Sequence, residues 1–187
     1  MSGRMMTFYR EWLALDKNEF RILAMLADKK QYTGNLTGLC RYFRISDQTK
    51  QIRKLKDNIQ SLSAAGWIEY SSSGRTIHLK PIPTDNRIPI PRRWAKPIMK
   101  AKGFSESVAW EQVLKVYVWI CDNRNPEVTN AMIAADLNIS VDTIGLAKNV
   151  LERDFQAIWR EIIKNTLPDG SKRNVGQMLS AKMWWSE

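Results

Sequence analysis

Residues 36–46 read LTGLCRYFRIS, and residues 129–140 read TNAMIAADLNIS. The two stretches have the same pattern. In each stretch a short helix pattern leads through a turn to Ile-Ser, and an apolar helix pattern precedes it. A tight turn between two helices needs a residue that tolerates positive φ and a Ser or Thr that caps the second helix. Asn138 fits the turn position, and Ser46 and Ser140 fit the cap. The sequence therefore predicts two successive helix-turn-helix units.

The first unit extends in both directions from this stretch. Asp16 and Glu19 have the form of a capping box, which predicts the start of an apolar helix. After the turn, Gly66 is the expected C-terminal stop of a third helix. Because the interval from Ser46 to Gly66 is about a turn and a half longer than usual, either this helix is extended or Asp47–Thr49 forms a longer turn. The residues that follow the stop read as strand, turn and strand.

Two faces of the third helix differ in character. Apolar residues at three- and four-residue steps predict a buried face made of Ile52, Leu55, Ile59 and Leu62. At about 100° per residue, Lys50, Arg53 and Lys54 fall together on the opposite side. A helix that enters a major groove needs this division between a packed face and a cationic face. The alternative is that the three cations only solvate an exposed face.

Other polar residues of the first unit also have expected roles. Gln48, Thr49 and Gln51 stand at the front of the third helix, where base-reading side chains usually lie. Arg75 is placed at the tip of the strand-turn-strand segment, where it either reaches a groove or phosphate or is solvated. His78 has no Cys, Asp or Glu nearby at ligand spacing, so we assign it a structural role.

Net charge is distributed unevenly along the sequence. Residues 1–80 hold 14 Lys and Arg against 7 Asp and Glu, residues 81–104 hold 6 against 1, and residues 105–187 hold 9 against 11. Clustered cations attract phosphate backbones through Coulomb energy and counterion release, so the first two segments are expected to carry the nucleic-acid contacts. Residues 81–104 also hold five of the seven prolines, which predicts a semi-rigid linker that lies along DNA or packs between domains.

The second unit is expected to contact protein. Its third helix is predicted to bury Ile144, Ala147 and Leu151. The outward arc holds Asp142, Gly145, Leu146, Asn149 and Arg153, and one cation with one anion and an exposed leucine makes a poor phosphate binder. The aromatic tail at Trp184-Trp185 supports the same interpretation.

The last part of the sequence is ambiguous between strand and helix. Pro168-Asp169-Gly170 is a turn signal, and the alternation of Leu179, Ala181, Met183 and Trp185 is typical of a half-buried strand. We therefore favour a hairpin with strands near residues 157–164 and 176–185. Ile158, Ile162 and Ile163 fit a helix about as well.

Several classes of protein are excluded by composition. At 44% hydrophobic and 26% charged residues, the chain has the composition of a folded globular protein. It lacks an apolar run of the roughly 20 residues that a membrane-spanning helix needs, so we expect a cytoplasmic protein. Cys40 and Cys121 are expected to be buried free thiols. Since there is no Gly-rich phosphate loop, metal-ligand cluster or nucleophile motif, we expect neither enzyme activity nor a cofactor or metal.

The first 80 residues resemble the winged helix-turn-helix domain of plasmid and phage replication initiators and of accessory regulators of mobile elements. The resemblance rests on Trp12-Leu13 ahead of FRIL (20–23), on residues 36–46, on Ile59 and Leu62, and on GWI (66–68). A second winged-helix-like unit in tandem also resembles initiators of this class. The second unit departs from the pattern at Phe155, where glycine usually ends the third helix. Winged helices also occur in repressors and protein adaptors, so the resemblance specifies the fold better than the role.

These observations predict a mainly α fold with small β-wings, arranged as two tandem winged helix-turn-helix domains. The predicted division is a DNA-binding domain over 1–80, a basic linker over 81–104 and a second winged-helix-like domain over 105–187. The predicted function is sequence-specific binding of double-stranded DNA by a replication initiator or transcription regulator of a mobile element. The alternative is a protein-interaction adaptor that has no specific DNA binding.

The residues and partners that carry this prediction are as follows. The DNA-binding set is Arg41, Arg44, Gln48, Thr49, Lys50, Gln51, Arg53, Lys54, Arg75, Arg92 and Arg93. The protein-interface set is Leu146, Asn149 and Arg153. Besides double-stranded DNA, the expected partners are a second copy of the chain and a replication or regulatory protein, with no membrane.

Overall fold

Two compact units make up the protein in a computed structural model, which describes residues 5–73, 75–81, 84–123, 127–168 and 171–182. Leu15–Asn86 forms one unit, which we call the inserted unit. The residues up to Ala14 and those from Arg87 onward form the other, which we call the flanking unit. The chain therefore leaves the flanking unit, folds the inserted unit and then returns. Both helices and small antiparallel sheets are present, so the fold is α+β.

The helices and strands occur in the following order. The flanking unit begins with β1 (Met5–Tyr9) and a 3-10 turn (Arg10–Ala14). The inserted unit contains α1 (Lys17–Lys29), β2 (Gln31–Thr33), α2 (Leu36–Phe43), α3 (Thr49–Ala64), β3 (Ile68–Ser71), β4 (Thr76–Leu79) and a 3-10 turn (Thr84–Asn86). The flanking unit resumes with β5 (Arg87–Pro91), α4 (Arg92–Lys100), α5 (Trp110–Asn123), β6 (Glu127–Val128), α6 (Asn130–Leu137), α7 (Val141–Arg153), β7 (Ile158–Thr166) and β8 (Lys172–Ala181).

The repeat seen in the sequence is also a repeat of topology. In the inserted unit, a helix, a strand, two helices and a hairpin build a sheet in the order β2-β4-β3. From α5 onward, the flanking unit has the same succession and builds its sheet in the matching order β6-β8-β7. In both sheets the hairpin strand that comes second in the chain is central, and all its pairings are antiparallel.

Capping chemistry fixes the ends of the helices in the inserted unit. Asp16 caps α1, and its side chain accepts hydrogen bonds from the backbone N–H groups of the first turn, including that of Glu19. Gly66 follows α3 at φ 80°, and the next residue, Trp67, donates its N–H to the Leu62 carbonyl at 3.0 Å. This pairing satisfies a carbonyl that the helix end leaves free. The predicted cap at Asp16 and stop at Gly66 are confirmed.

The start of α3 differs from the prediction. Ser46 is not its cap, because the helix begins at Thr49, with Gln48 in the cap position and no side-chain capping bond. The Ser46 Oγ accepts from the Gln48 N–H at 3.3 Å and so closes a turn ahead of the helix. The extra length between Ser46 and Gly66 is therefore shared between a longer turn and a longer helix, since α3 has 16 residues where α7 has 13.

In the flanking unit the predicted turn and cap are both confirmed. Asn138 adopts the left-handed conformation at φ 51° and ψ 49°, and Ser140 caps α7 by accepting from the Thr143 N–H. The matching left-handed position of the inserted unit is Arg44, at φ 55° and ψ 39°. Both turns then continue into Ile-Ser, but only the serine at position 140 caps a helix.

Phe155 stands where glycine was expected, and the chain still turns into the hairpin. The residue that takes positive φ is Gln156, at φ 51°. The following Ala157 donates its N–H to the Leu151 carbonyl at 2.8 Å, which closes the end of α7. The turn that Gly66 makes in the inserted unit is therefore made here by a glutamine.

A hairpin follows α7, and this confirms the interpretation that the sequence favoured. The register runs from Ile158 opposite Ala181 to Thr166 opposite Lys172, with one irregularity between Ile163 and Lys164. Leu179 is buried, as the alternation predicted. The turn signal at Asp169-Gly170, together with Met183, Trp184 and Trp185, lies outside the described residues.

The predicted linker over 81–104 is wrong from residue 87 onward. Arg87–Pro91 is a strand that pairs with β1, and Arg92–Lys100 is a helix. Ile88 and Ile90 are buried, since the period of two in Ile-Pro-Ile-Pro places both isoleucines on one face. Proline tolerates this position because β5 is an edge strand of a two-stranded sheet. Two of the five prolines therefore belong to an edge strand, and a third, Pro97, lies inside α4.

The predicted domain boundaries also change. Residues 5–14 were assigned to the first domain, but they belong to the flanking unit, where the Lys115 ammonium donates to the Leu13 carbonyl at 3.0 Å. With the observed division, the inserted unit holds 12 Lys and Arg against 7 Asp and Glu, and the flanking unit holds 17 against 12. Each unit thus carries a net charge of +5, so the contrast in charge between the two predicted domains disappears.

Within the described ranges, no helix combines the length and the apolar composition that crossing a bilayer requires.

Candidate nucleic-acid interface

The two faces of α3 are separated as the sequence predicted. Leu55, Ile59 and Leu62 are buried, while Lys50, Arg53 and Lys54 are exposed on the opposite side. Ile52, the first residue of the predicted buried stripe, is half-buried. Asp57 lies one heptad after Lys50 and is also exposed, so it shares the cationic side of the helix.

The front of α3 is only partly available for contact. Gln48 and Thr49 are exposed. Gln51 is half-buried, because one residue after Lys50 it is turned by about 100° toward the packed side. Of the three predicted base-reading residues, Gln51 is therefore displaced from the cationic face.

The turn between α2 and α3 adds two cations to the inserted unit. Arg41 lies in the last turn of α2 and Arg44 in the left-handed position after it, and both side chains are exposed. Together with α3 they extend the group of cations that the sequence assigned to nucleic acid.

Arg75 lies beside a cavity that the sequence did not predict. The cavity, of about 340 Å³, lies between the hairpin β3–β4 and the start of α2, and its lining includes the side chains of Tyr32, Thr37, Tyr70, Ser72 and Arg75. Arg75 adopts φ 49°, and its carbonyl accepts from the Gly34 N–H at 2.9 Å. The lining combines one cation with four hydroxyl groups, a set that suits a phosphate or another oxyanion.

Two glycines beside this cavity leave room for the Tyr32 side chain. A Cβ at Gly34 would lie 2.7 Å from the Tyr32 hydroxyl oxygen, and one at Gly38 would lie 2.9 Å from the same atom. That hydroxyl donates to the Asn35 carbonyl at 3.1 Å. The Tyr32 hydroxyl is therefore fixed by Asn35, in space that the two glycines leave open.

Arg92 and Arg93 are not part of the inserted unit. Both lie in the first turn of α4, in the flanking unit. Arg92 is half-buried, and the Arg93 guanidinium stacks 5.1 Å from the centre of the Trp94 ring. The structure thus divides the predicted DNA-binding set between the two units.

The predicted protein interface on α7 is less exposed than expected. Leu146 is half-buried and not exposed. Asn149 donates to the Glu106 carboxylate at 3.0 Å, and Arg153 lies 4.0 Å from the same group. These contacts link the segment before α5 to α7, while the Arg153 side chain is still 67% exposed.

The hairpin β7–β8 gathers residues that are dispersed in the sequence. Strand pairing places Lys172 opposite Thr166 and Arg173 opposite Asn165, and Lys164 lies on the neighbouring pair, so three exposed cations lie near the distal end, with Lys164 and Lys172 on one face and Arg173 on the other. The same hairpin exposes the large apolar side chains of Trp159, Ile162, Leu167 and Val175. Sequence spacing could not reveal this cluster, because it depends on the register of the hairpin.

Both cysteines are free thiols, and the one histidine of the sequence lies on a strand of the β3–β4 hairpin. Burial raises the pKa of the Cys40 thiol, and burial raises that of Cys121 to about 12 despite a hydrogen bond with Tyr117. His78 is exposed on β4, opposite Glu69. Among the described residues, no group of three or more His, Cys, Asp or Glu side chains is placed to hold a metal ion.

No known family model matches the sequence, and no curated protein matches it significantly.

Proposed function

We propose that this chain is a sequence-specific double-stranded DNA-binding protein made of two tandem winged helix units. Its biological role would be that of a replication initiator or transcription regulator of a plasmid, phage or other mobile element. In the inserted unit, α3 is the recognition helix and β3–β4 is the wing. The shared order of elements and strands in the two units supports the tandem assignment.

One observation supports DNA binding above the others. Lys50, Arg53 and Lys54 project together from the side of α3 that its own unit leaves uncovered. A major groove accepts one α-helix, and a helix in it needs its packed side bonded to protein and its free side cationic. Arg41 and Arg44 before the helix, and Arg75 at the wing, are also exposed, and exposed cations beside a groove make phosphate contacts.

The first prediction concerns the triple variant Lys50→Ala, Arg53→Ala, Lys54→Ala. Each lost phosphate contact should reduce the slope of log affinity against log salt by about 0.9, so the slope should fall by nearly 3. The measurement is a titration of labelled duplex by fluorescence anisotropy at several salt concentrations. Duplex from a random-library selection also distinguishes a palindrome, typical of a dimeric regulator, from direct repeats, typical of an initiator.

A control variant distinguishes the loss of this face from a general loss of positive charge. Lys17, Lys29 and Lys80 are exposed in the inserted unit and lie outside α3, and changing them to Ala removes the same number of charges. The control should retain most of the parent's affinity and slope. If both triple variants lose affinity equally, or neither does, the α3 face is not the DNA surface.

The second candidate function is a winged-helix adaptor for a protein partner. It is favoured by the hairpin β7–β8, where Trp159 is 59% exposed and three other large apolar side chains are also exposed. Gel shifts with genomic fragments at low salt distinguish the two functions. Retention of no fragment by the parent protein would favour the adaptor.

A further inference from the structure

A small pocket lies beside the cationic side of α3 in the inserted unit. Its walls come from the first turns of α1, the turn after α2 and the packed edge of α3. The lining residues are Asn18, Arg21, Phe43, Ile45, Gln51, Lys54, Leu55 and Asn58. All of them are apolar, amide-bearing or cationic, so within the described part of the chain no carboxylate lines this pocket.

Asn58 is the unusual residue of this lining. It lies on the buried face of α3, next to Leu55 and Ile59, and its side chain is only 9% exposed. Its Nδ2 is buried and has no hydrogen-bond acceptor among the described protein atoms. A buried amide without an acceptor destabilises a fold, which makes an oxygen atom entering the pocket favourable.

Two cations flank that amide. The Arg21 guanidinium lies over the Phe43 ring at 5.6 Å, and burial lowers the pKa of Arg21 while Asp16 opposes this effect. Lys54 is exposed at the rim and belongs to the cationic side of α3. An anion at the rim would therefore meet positive potential from a half-buried cation and an exposed cation together.

The size of the pocket restricts what can enter. The space inside is about 10 Å³, which admits a single oxygen-sized atom. A planar base or a whole small molecule does not fit. A terminal oxygen of a tetrahedral oxyanion fits, with the rest of the anion outside at Lys54.

We propose that this pocket, formed by Arg21, Lys54 and Asn58, binds one oxygen of a phosphate in the backbone of bound DNA. The inference rests on the proposed function and extends it, since the pocket would fix the position of α3 against one strand of the duplex. Phosphate contacts of this kind set the register and orientation of a protein on DNA without reading sequence.

The first test uses sulfate as a probe in the absence of DNA. Sodium sulfate is compared with sodium chloride at matched ionic strength, and the Tm of the full chain is measured. The parent should gain about 5 °C more from sulfate than Asn58→Asp does, because the new carboxylate occupies the pocket and repels the anion. Asn58→Ala, which also removes the amide, should lose the same specific gain and guards against misfolding of the first variant. Equal sulfate responses in all three proteins overturn the proposal.

The second test uses duplex DNA. Asn58→Asp should weaken DNA binding at least tenfold more than Gln31→Glu, which adds the same charge at an exposed position on β2. Equal losses in the two variants overturn the assignment to a backbone phosphate. If the sulfate response depends on Asn58 but DNA affinity does not, a free oxyanion is the ligand and the phosphodiester assignment is wrong. If the parent binds no DNA at all, the proposed function fails, and the sulfate result still decides whether the pocket binds an oxyanion.

Discussion

Lys148 shows how a single residue can depart from its apparent role. As an isolated lysine in the sequence it is expected to lie on the surface, but it is only 1% exposed. The ammonium group donates to Asn130 and Gln177, and the Gln177 amide also donates to Asn130 at 2.8 Å. These three side chains join α6, α7 and β8 through a buried polar network, and such networks stabilise a fold only when every member is satisfied.

The pH dependence of stability should report on this lysine. Burial lowers the pKa of Lys148 to about 8; nearby Arg160 adds to the shift and Glu152 opposes it. Because the unfolded chain keeps the ordinary, higher pKa, it binds more protons than the folded chain between about pH 8 and pH 10.5. The free energy of unfolding should therefore rise with pH across that window, by up to about 3 kcal/mol for this group. Urea unfolding at a series of pH values measures the rise.

Two substitutions test the assignment to Lys148. Lys148→Met should flatten the rise between pH 8 and pH 10.5, whereas Lys172→Met, at an exposed position on β8, should leave it unchanged. A rise of the same size in the Lys148→Met protein would show that other groups cause it.

At the scale of the element, two identical Ile-Ser dipeptides have different roles. Ile45-Ser46 and Ile139-Ser140 follow left-handed residues in corresponding turns. The Ser140 hydroxyl accepts from the Thr143 N–H at 3.2 Å and caps α7, but Ser46 stands three residues before α3. The longer turn in the inserted unit moves the cap position to Gln48 and brings the exposed Gln48 and Thr49 to the front of the helix.

This difference predicts unequal costs for one substitution. Ser140→Ala should destabilise the flanking unit by about 1 kcal/mol, because it removes a side-chain acceptor from the first turn of α7. Ser46→Ala should cost clearly less, since the hydroxyl only closes a turn. Hydrogen exchange of the Thr143 and Gln48 amides compares the two sites within one protein. Equal loss of protection would mean that Ser46 supports α3 as strongly as a cap does.

At the scale of the whole molecule, the sequence of the inserted unit interrupts the sequence of the flanking unit. Tyr9 pairs with Arg87 across the inserted residues, and the Arg10 guanidinium bonds the Asp122 carboxylate of α5 at 2.7 Å. The segment before residue 15 is thus held by strand pairing and by contacts with α5. A cut at residue 104, as the sequence suggested, would remove both β1 and β5 from the unit that they complete.

Excision of the inserted unit tests this organisation. Replacing residues 15–86 with a flexible linker of about ten Gly and Ser residues should leave a flanking unit that unfolds cooperatively on heating. The fragment 105–187 lacks β1, β5 and α4, so it should unfold at a lower temperature and with a broader transition. Calorimetry of the two proteins measures the difference. A fragment 105–187 as stable as the excised protein would show that the N-terminal strand contributes nothing to that fold.

Local chemistry is what the sequence by itself determined. Apolar residues three and four positions apart fixed the packed and cationic sides of α3, and caps and stops such as Asp16, Gly66 and Asn138 fixed where helices begin and end. These signals are readable because they act between residues within a turn or two of each other.

Only the tertiary structure decided the features that depend on distant partners. The pairing of β1 with β5 spans about 80 residues, and it changed both the domain boundaries and the distribution of charge between the units. The burial of Lys148 and the pocket at Asn58 likewise depend on which elements pack over a given helix. The periodicity of the sequence does not identify such a partner. The free energy of a long-range contact depends on which distant residues the folded chain places beside it.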